Sequence, residues 1–216
     1  MKIVATLPKD SVLRYGKTVV ATLRDEISLK DTGLSLLVGL NGEGKTTLLR
    51  WLCALLPHCP SPLERRQAIY LPESLDWPGN LHYLQLHKAM APDVPYAEQW
   101  AKHFGLDAKK RYGLLSKGNR QKVRLLLTEA LALQHQANVI CLDEPLSGLD
   151  FRTREIVWQG WHGDNNWSAA HRIVSMHPSD IPYNPDQVIL VSKGNISLMS
   201  FAGTLSWDAI KQTISV

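Results

Sequence analysis

Short runs of consecutive apolar residues alternate along the chain with stretches in which apolar residues recur every three or four positions. Residues 35–39 read SLLVG, a run typical of a strand buried on both faces, and a glycine-rich turn follows it. The next segment, KTTLLRWLCALL, predicts a helix that Pro57, Pro60 and Pro62 stop. The leucines that carry the helical spacing are Leu48, Leu49, Leu52 and Leu55.

Further apolar runs extend this alternation towards the end of the chain. Residues 67–73 and 138–145 each predict a strand, and segments 172–180 and 186–196 predict one more strand each. Residues 119–135 are rich in Leu, Arg, Lys and Gln and predict a helix. Strands that alternate with helices indicate an α/β fold, with a mostly parallel sheet and helices on both of its sides.

One long segment, residues 74–113, interrupts the alternation. It carries scattered aromatic and aliphatic residues, among them Trp77, Trp100 and Phe104, and we expect a mostly helical insert there. A chain of 216 residues fits one compact unit, or one core with a small additional lobe.

Composition and charge narrow the possible function classes. Apolar residues make up 44% of the chain, which is enough for a real core. The net charge is +4, but the basic residues are scattered and cluster only at 65–66 and 109–111. A surface that follows nucleic-acid phosphates needs a continuous stripe of cations. We therefore expect no nucleic-acid partner.

The cysteines and the apolar segments bear on the compartment. Three cysteines without a CxxC pair do not form a disulfide framework, and a reducing compartment fits them. A metal site at Cys53, His58 and Cys59 is an alternative, although no second ligand pair follows at zinc spacing. No run of about 18 apolar residues is present, and the N-terminal apolar run is too short for a signal peptide. If the protein works at a membrane, we expect another chain to hold it there.

The glycine-rich turn is the first candidate for chemistry. In GLNGEGKTT, residues Gly39, Gly44, Lys45 and Thr46 satisfy the pattern G-x-x-x-x-G-K-[ST] between a predicted strand and a predicted helix. In such a loop, backbone N–H groups surround the β-phosphate, the lysine reaches the β- and γ-phosphates, and the hydroxyl binds Mg²⁺. The sequence thus predicts a nucleoside triphosphate site at Asn41, Gly42, Gly44, Lys45, Thr46 and Thr47.

A pair of acids provides the second half of this chemistry. Asp143 and Glu144 end the predicted buried strand 138–145, where an acid lies beside the phosphate loop. Asp143 is expected to hold the Mg²⁺ shell, and Glu144 to orient and deprotonate an attacking water. The alternative is that the two acids only cap a strand. Adjacent carboxylates at a Mg²⁺ site favour hydrolysis over phosphoryl transfer to a small acceptor.

The phosphate loop and the acid pair belong to a longer likeness: nearly the whole chain resembles the ATP-binding subunit of an ABC transporter. LSKGN at 115–119 resembles the family signature LSGGQ, with Lys117 and Asn119 as departures. SGLD at 147–150 matches the D-loop. His177 matches the switch histidine that contacts the γ-phosphate, and Tyr15 lies where an aromatic residue stacks on adenine.

The resemblance implies a fold, cofactors and partners. It implies a P-loop NTPase sheet over core residues 1–73 and 114–216, with a helical subdomain at about 74–113, all within one domain. ATP and Mg²⁺ are the implied cofactors. Two copies would meet head to tail, so that Ser116 and Gly118 of one copy grip the γ-phosphate held by the other. A simple Ser116 N-cap of a surface helix is compatible with this role.

A separate transmembrane permease subunit is the implied second partner, and it would keep the chain on the cytoplasmic face of the cell membrane. We expect this subunit to dock on the helical insert, with Trp77 and Trp100 as candidate exposed contacts. For each single tryptophan, packing in the core is the more frequent alternative. The segments LSKGN and YLPE most resemble the exporter branch of the family. The resemblance implies that the membrane subunit binds the transported cargo.

The chain departs from the family pattern at two further places, and two alternative functions stay open. Glu73 stands where the family usually has a glutamine; it can still bind Mg²⁺ through oxygen. Residues 58–68 are too few for the β-hairpin that the family carries there, so we expect a reduced antiparallel β lobe. A soluble ABC-type ATPase of translation or DNA repair is the first alternative. A small-molecule P-loop kinase is the second, but it leaves the signature, the D-loop and His177 unexplained.

Overall fold

The computed structural model describes residues 2–163, 167–176 and 185–200 and the single positions 210 and 213. Its strands are β1 (Ile3–Leu7), β2 (Val12–Tyr15), β3 (Thr18–Leu23), β4 (Ile27–Lys30), β5 (Gly33–Val38), β6 (Ala68–Leu71), β7 (Val139–Asp143), β8 (His171–Ser175), β9 (Gln187–Ser192) and β10 (Asn195–Met199). Its α-helices are α1 (Lys45–Leu52), α2 (Tyr83–Met90), α3 (Ala97–His103), α4 (Lys117–Gln134) and α5 (Phe151–His162), and a 3₁₀ turn spans Tyr112–Leu114.

The central sheet has the strand order β2-β3-β10-β9-β5-β8-β7-β6, and β1 pairs with β4 in a separate antiparallel ribbon. The five strands from β9 to β6 are parallel to one another. The α/β fold with a mostly parallel sheet is therefore confirmed. Antiparallel pairing within the described residues is confined to β9–β10, β2–β3 and β1–β4.

Alternate residues of the central strands bury opposite faces of this sheet. In β5, Leu36 faces a core shared with the insert and helix α4, whereas Leu37 faces a second core shared with α1 and the N-terminal strands. Ile140 and Cys141 of β7 divide in the same way. Both faces are covered, which explains why these strands are continuous apolar runs.

Helix α1 is shorter than its leucine spacing predicts. It ends at Leu52, before the prolines, because Ala54 adopts a left-handed conformation with φ 52°. Leu55, counted in the apolar face, is 41% exposed. Residues 53–67 then contain no helix or strand, in agreement with a reduced antiparallel β lobe.

The segment 186–196 contains a hairpin rather than the single predicted strand. Strands β9 and β10 pair antiparallel around Lys193 and Gly194, whose φ angles are 48° and 73°. Two consecutive left-handed residues are typical of the tight turn that matches the twist of a two-residue hairpin. Strands β1 to β4 are also absent from the sequence prediction, since each is short and only partly apolar.

The insert contains helices α2 and α3 and the start of the 3₁₀ turn, and Trp100 packs in the core rather than forming an exposed contact. Trp100 is only 3% exposed, and its ring lies against Tyr96, His87 and Trp167. Trp77 is half-buried and packs against the same core. On a short amphipathic helix, an aromatic side chain buries more surface area than any other residue type. Packing in the core is therefore favoured over exposure to a partner.

Helix α4 is fixed to strand β8 by a buried ion pair. The Arg172 guanidinium donates to both Glu129 carboxylate oxygens, at 3.0 and 2.8 Å, and also to the backbone oxygens of Ser168 and Ala170. Both side chains are almost completely buried. A two-pronged contact of this kind sets both distance and orientation between the two elements. No helix in the described ranges is both long and apolar enough to cross a membrane.

His171 makes the stability of the fold depend on pH. Its ring is 1% exposed at the start of β8, where Nε2 lies 2.7 Å from Ser35 Oγ. Burial lowers the pKa of His171 from 6.5 to about 4, although the nearby Asp186 carboxylate opposes this shift. Between these values the unfolded chain binds a proton that the folded chain does not. The free energy of unfolding therefore falls by up to about 3 kcal/mol as the pH is lowered through this window.

This pH dependence can be measured by urea unfolding at a series of pH values between those two pKa values. The variant His171→Gln retains a hydrogen-bonding group but does not titrate, so its stability should change less steeply with pH. Equal slopes for the two proteins would assign the pH dependence to other groups.

Candidate functional site

A cavity of about 440 Å³ opens at the carboxyl ends of the parallel strands. Ligands of open α/β sheets bind at this edge. The cavity is lined by nine residues, all of them predicted as site residues from the sequence: Asn41, Gly42, Gly44, Lys45, Thr46, Thr47, Glu73, Asp143 and Glu144. Residues more than a hundred positions apart in the sequence therefore converge on one site.

The phosphate loop leaves donors free at the start of α1. Gly44 precedes the helix with φ 107°, and no side chain caps the first turn. Gly42 also lies in the left-handed region, at φ 86°, which favours glycine. A Cβ on Gly39 would collide with the Val191 carbonyl. The uncapped N–H groups and the positive end of the helix dipole form an anion site.

Lys45 is held inside this loop. Its ammonium donates to the carbonyl oxygens of Gly39 at 2.9 Å and Leu40 at 3.1 Å. Burial lowers the pKa of Lys45, while the negative charges of Glu144, Asp143 and Glu43 act in the opposite direction. The Lys45 ammonium thus lies near three acids and can also bind an incoming anion.

Asp143 is almost completely buried, and each of its carboxylate oxygens accepts a hydrogen bond. Thr46 Oγ1 donates to Oδ2 at 2.7 Å, and the Tyr70 hydroxyl donates to the same oxygen at 3.2 Å. Ser175 Oγ donates to Oδ1 at 2.7 Å. Burial and the Asp143 charge raise the pKa of Tyr70 to about 12, so this hydroxyl keeps its proton and remains a donor.

Glu144 follows Asp143 in an unusual backbone conformation. Its φ is 46°, in the left-handed region that costs a non-glycine residue of order 1–3 kcal/mol. Its N–H donates to Ser175 Oγ at 2.9 Å, and its carbonyl oxygen accepts from the Ser147 N–H at 3.2 Å. The strained turn places the side chain on the wall of the cavity.

Glu73 lies at the mouth of the cavity, and α4 connects it to the acid pair. Arg124 donates to the Glu73 carbonyl oxygen at 3.2 Å and to Gln121 Oε1 at 3.0 Å. Gln121 donates in turn to the carbonyl oxygen of Pro145 at 2.7 Å. Arg124 also forms an ion pair with Asp76 at 3.4 Å. The start of the insert and the residue after Glu144 are thereby joined through two side chains.

Ser116 and Gly118 lie at the start of α4, outside the residues that line the cavity. Ser116 is the N-cap of the helix, and its Oγ accepts the Asn119 N–H at 3.3 Å. A Cβ on Gly118 would approach the Gly148 carbonyl oxygen to 2.9 Å, so the signature turn packs tightly against the loop after β7. Lys117 is exposed.

One further predicted residue does not line the cavity. Tyr15 ends β2 with 61% of its surface exposed and is not one of the cavity-lining residues. His177 lies outside the described residues. Conversely, sequence reasoning missed Tyr70 and Ser175. The signal for Tyr70 was a hydroxyl inside an otherwise apolar strand, whereas Ser175 ends a strand that also carries His171 and Arg172.

The donor set of the cavity fits a nucleoside triphosphate with Mg²⁺. Helix-start N–H groups and the Lys45 ammonium suit phosphate oxygens. Thr46 and Asp143 provide adjacent oxygen atoms, and Mg²⁺ is usually held by one or two such protein groups together with phosphates. Glu73 and Glu144 add two further carboxylates on the wall of the cavity.

Comparison with known proteins agrees with this geometry. A family model described as ABC transporter matches residues 25–147. The zinc import ATP-binding protein ZnuC of Cereibacter sphaeroides is 35% identical over 142 residues, covering 59% of this chain and 56% of ZnuC. The cytochrome c biogenesis ATP-binding export protein CcmA of Albidiferax ferrireducens is 32% identical over 133 residues, covering 52% of this chain and 61% of CcmA. The chain spans less than two thirds of either relative.

Solved structures share the fold. A chain from the complex of archaeal ribosomal stalk protein aP1 and archaeal ribosome recycling factor aABCE1 superposes with a TM-score of 0.74. The match covers 99% of this chain and 42% of that chain, at 20% identity. Identity at this level establishes the arrangement of strands and helices alone.

Proposed function

Because the chain belongs to the ABC transporter family of ATP-hydrolysing domains, we propose that it binds and hydrolyses MgATP to drive a separate membrane protein. One observation carries the proposal. Lys45 and Thr46 of the phosphate loop share a single cavity with Asp143 and Glu144, and Thr46 is already hydrogen-bonded to Asp143. This is the set of groups that phosphate binding, Mg²⁺ binding and water activation require.

Binding uses the phosphate loop. N–H groups of residues 41–47 donate to the phosphate oxygens, and Lys45 exchanges its two carbonyl partners for phosphate oxygens. Thr46 Oγ1 offers a lone pair to Mg²⁺ while its O–H donates to Asp143, and Glu73 offers a further carboxylate on the cavity wall. Mg²⁺ held by these groups would neutralise negative charge on the phosphate oxygens. Tyr15 is assigned to stacking on the adenine base.

Hydrolysis uses Glu144. Its carboxylate takes a proton from the attacking water as the oxygen bonds to the γ-phosphorus, and the bond from this phosphorus to the oxygen of ADP breaks. His177 is assigned a contact with the γ-phosphate, as the family resemblance implies. Lys45 lies where negative charge accumulates, and the acids around it oppose the lowering of its pKa by burial.

The nucleotide completes a head-to-tail dimer in this proposal. Ser116 and the Gly118 N–H of one copy contact the γ-phosphate held by the other copy, at the N-terminus of α4. ATP drives closure because it binds the closed dimer better than the open one. Release of phosphate removes that difference and allows the dimer to open.

The partner is assigned as a transmembrane permease subunit that docks on the insert and keeps the chain on the inner face of the cell membrane. The bridge from Glu73 through Arg124 and Gln121 to Pro145 supports this assignment, because it joins the start of the insert to the residue after Glu144. We propose export as the direction of transport, because the segments LSKGN and YLPE most resemble the exporter branch. Of the two relatives, CcmA is an export protein and ZnuC is an import protein.

Isolation from native membranes tests the assigned partner. A tagged chain should sediment with membranes and, after detergent extraction, retain a polytopic membrane protein at fixed stoichiometry. Lys45→Ala serves as a control, since it impairs nucleotide binding but leaves the surface of the insert intact, and it should retain the same partner. Recovery with ribosomes or with DNA-repair complexes instead would contradict a transport role.

A further inference from the structure

We propose that Ser175 is a positioning residue that aligns Asp143 and Glu144 through one shared hydroxyl, an inference that rests on the proposed hydrolysis of ATP. Ser175 ends strand β8 and is fully buried, directly opposite Asp143 in the parallel register. Its Oγ donates to Asp143 Oδ1 at 2.7 Å and accepts the Glu144 N–H at 2.9 Å. One hydroxyl on one strand thus holds two consecutive acids on the next strand.

The direction of both hydrogen bonds is fixed by chemistry. A backbone N–H can only donate, so Ser175 Oγ must use a lone pair for Glu144. Its single proton is then free to point to Asp143, whose ionised carboxylate only accepts. The hydroxyl therefore has one orientation that satisfies both partners.

In this orientation the two oxygens of the Asp143 carboxylate have different partners. Oδ1 is occupied by Ser175, which holds the plane of the group against rotation. Oδ2 is left on the side of Thr46 and Tyr70, facing the phosphate loop. Groups behind a metal-associated carboxylate of this kind commonly affect activity about ten- to a hundredfold.

Glu144 depends on the same hydroxyl. Its left-handed φ of 46° is held by the hydrogen bond from its N–H to Ser175 and by the one from Ser147 to its carbonyl oxygen. Without the Ser175 oxygen, the strained turn loses one of these restraints. The carboxylate that must meet an attacking water is then held less precisely in its place on the cavity wall.

The neighbouring strand provides a matched comparison. Ser35 of β5 is also fully buried, and its hydroxyl contacts His171 and Gln187. His171 begins β8, whereas Ser175 ends it, so the two serines serve opposite ends of the sheet. Removing either hydroxyl disrupts a buried polar contact, but only Ser175 contacts the acids.

The experiment compares Ser175→Ala, Ser175→Thr and Ser35→Ala in the full chain, with steady-state ATP hydrolysis and thermal unfolding measured for each. Ser175→Ala should lower kcat about tenfold or more, with KM for ATP within about twofold, because the phosphate loop is unchanged. Ser175→Thr retains the hydroxyl and should restore most of kcat. Ser35→Ala should lower Tm and leave kcat near that of the wild type. If Ser175→Ala does not fold, Ser175→Cys, which preserves the shape with a weaker donor, should show the same loss of kcat.

The outcomes separate this inference from the proposed function. A wild-type kcat in Ser175→Ala or its Cys substitute, beside an inactive Glu144→Gln, would overturn the role of Ser175 alone. So would an equal loss of kcat in Ser35→Ala, or a folded Ser175→Thr as slow as Ser175→Ala. Full turnover in Glu144→Gln would overturn both the assignment of Glu144 as the catalytic base and the role of Ser175.

Discussion

Replacing Glu144 with glutamine should slow ATP hydrolysis at least about a hundredfold, on the scale of a lost general base, while ATP binding persists. The amide has nearly the same shape as the carboxylate but cannot take a proton from water. Lys45, Thr46 and Asp143 are untouched, so the nucleotide site keeps its donors. The closed, ATP-bound dimer should therefore accumulate.

Three measurements check this result. Phosphate release gives kcat, a fluorescent nucleotide gives the Kd for ATP, and size-exclusion chromatography with and without ATP gives the fraction of dimer. Glu98→Gln is the control, because Glu98 is exposed on α3 and carries the same charge outside the site. Undiminished hydrolysis in Glu144→Gln, with Glu98→Gln also active, would falsify the assignment of Glu144 as the base.

The second large effect is expected from mixing two inactive variants. Lys45→Ala removes the cation of the phosphate loop, and Ser116→Arg places a long side chain at the signature turn, so each alone should lose nearly all hydrolysis. In a head-to-tail dimer of one copy each, both defects fall in one composite site and the other site is intact. An equal mixture should then recover about a quarter of wild-type activity if the sites act independently.

A conservative variant separates the two roles of Ser116. Asp is as good an N-cap as Ser, so Ser116→Asp should retain the start of α4 and the Tm of the protein. Its negative charge would nevertheless face the γ-phosphate across the dimer, and hydrolysis should fall. Activity that stays at zero in every mixture, or a fully active Ser116→Asp, would mean that the signature turn does not complete the site of a second copy.

Much of the candidate site was predictable because its signals are local. Residues 39–47 form a contiguous loop whose glycines and lysine announce a phosphate site without reference to the rest of the chain. Asp143 and Glu144 end an apolar run, and the topology of a parallel sheet brings such ends to one edge. In the structure, both acids line the same cavity as the phosphate loop. The roles assigned to its residues, together with Tyr15, Ser116, Gly118 and His177, remain predictions.

Other features were not predictable because they depend on the backbone conformation of single residues or on contacts that are distant in sequence. The hairpin of β9 and β10 depends on two left-handed residues that a run of apolar letters does not reveal. Trp100 appeared to be a candidate for display, yet three aromatic neighbours from different parts of the chain bury it. Ala54 ends α1 through its backbone conformation rather than through a proline.

The sequence by itself determined the sheet architecture and the identity of the chemical groups, since periodicity and short motifs depend on near neighbours. The tertiary structure alone decided how those groups are oriented. Asp143 receives Thr46, Tyr70 and Ser175 from three separate elements, and Glu144 is held in a strained turn by a hydroxyl 31 positions away. Hydrogen bonds depend on the distance and angle between atoms, and only the packing of strands against each other sets those quantities for residues so far apart.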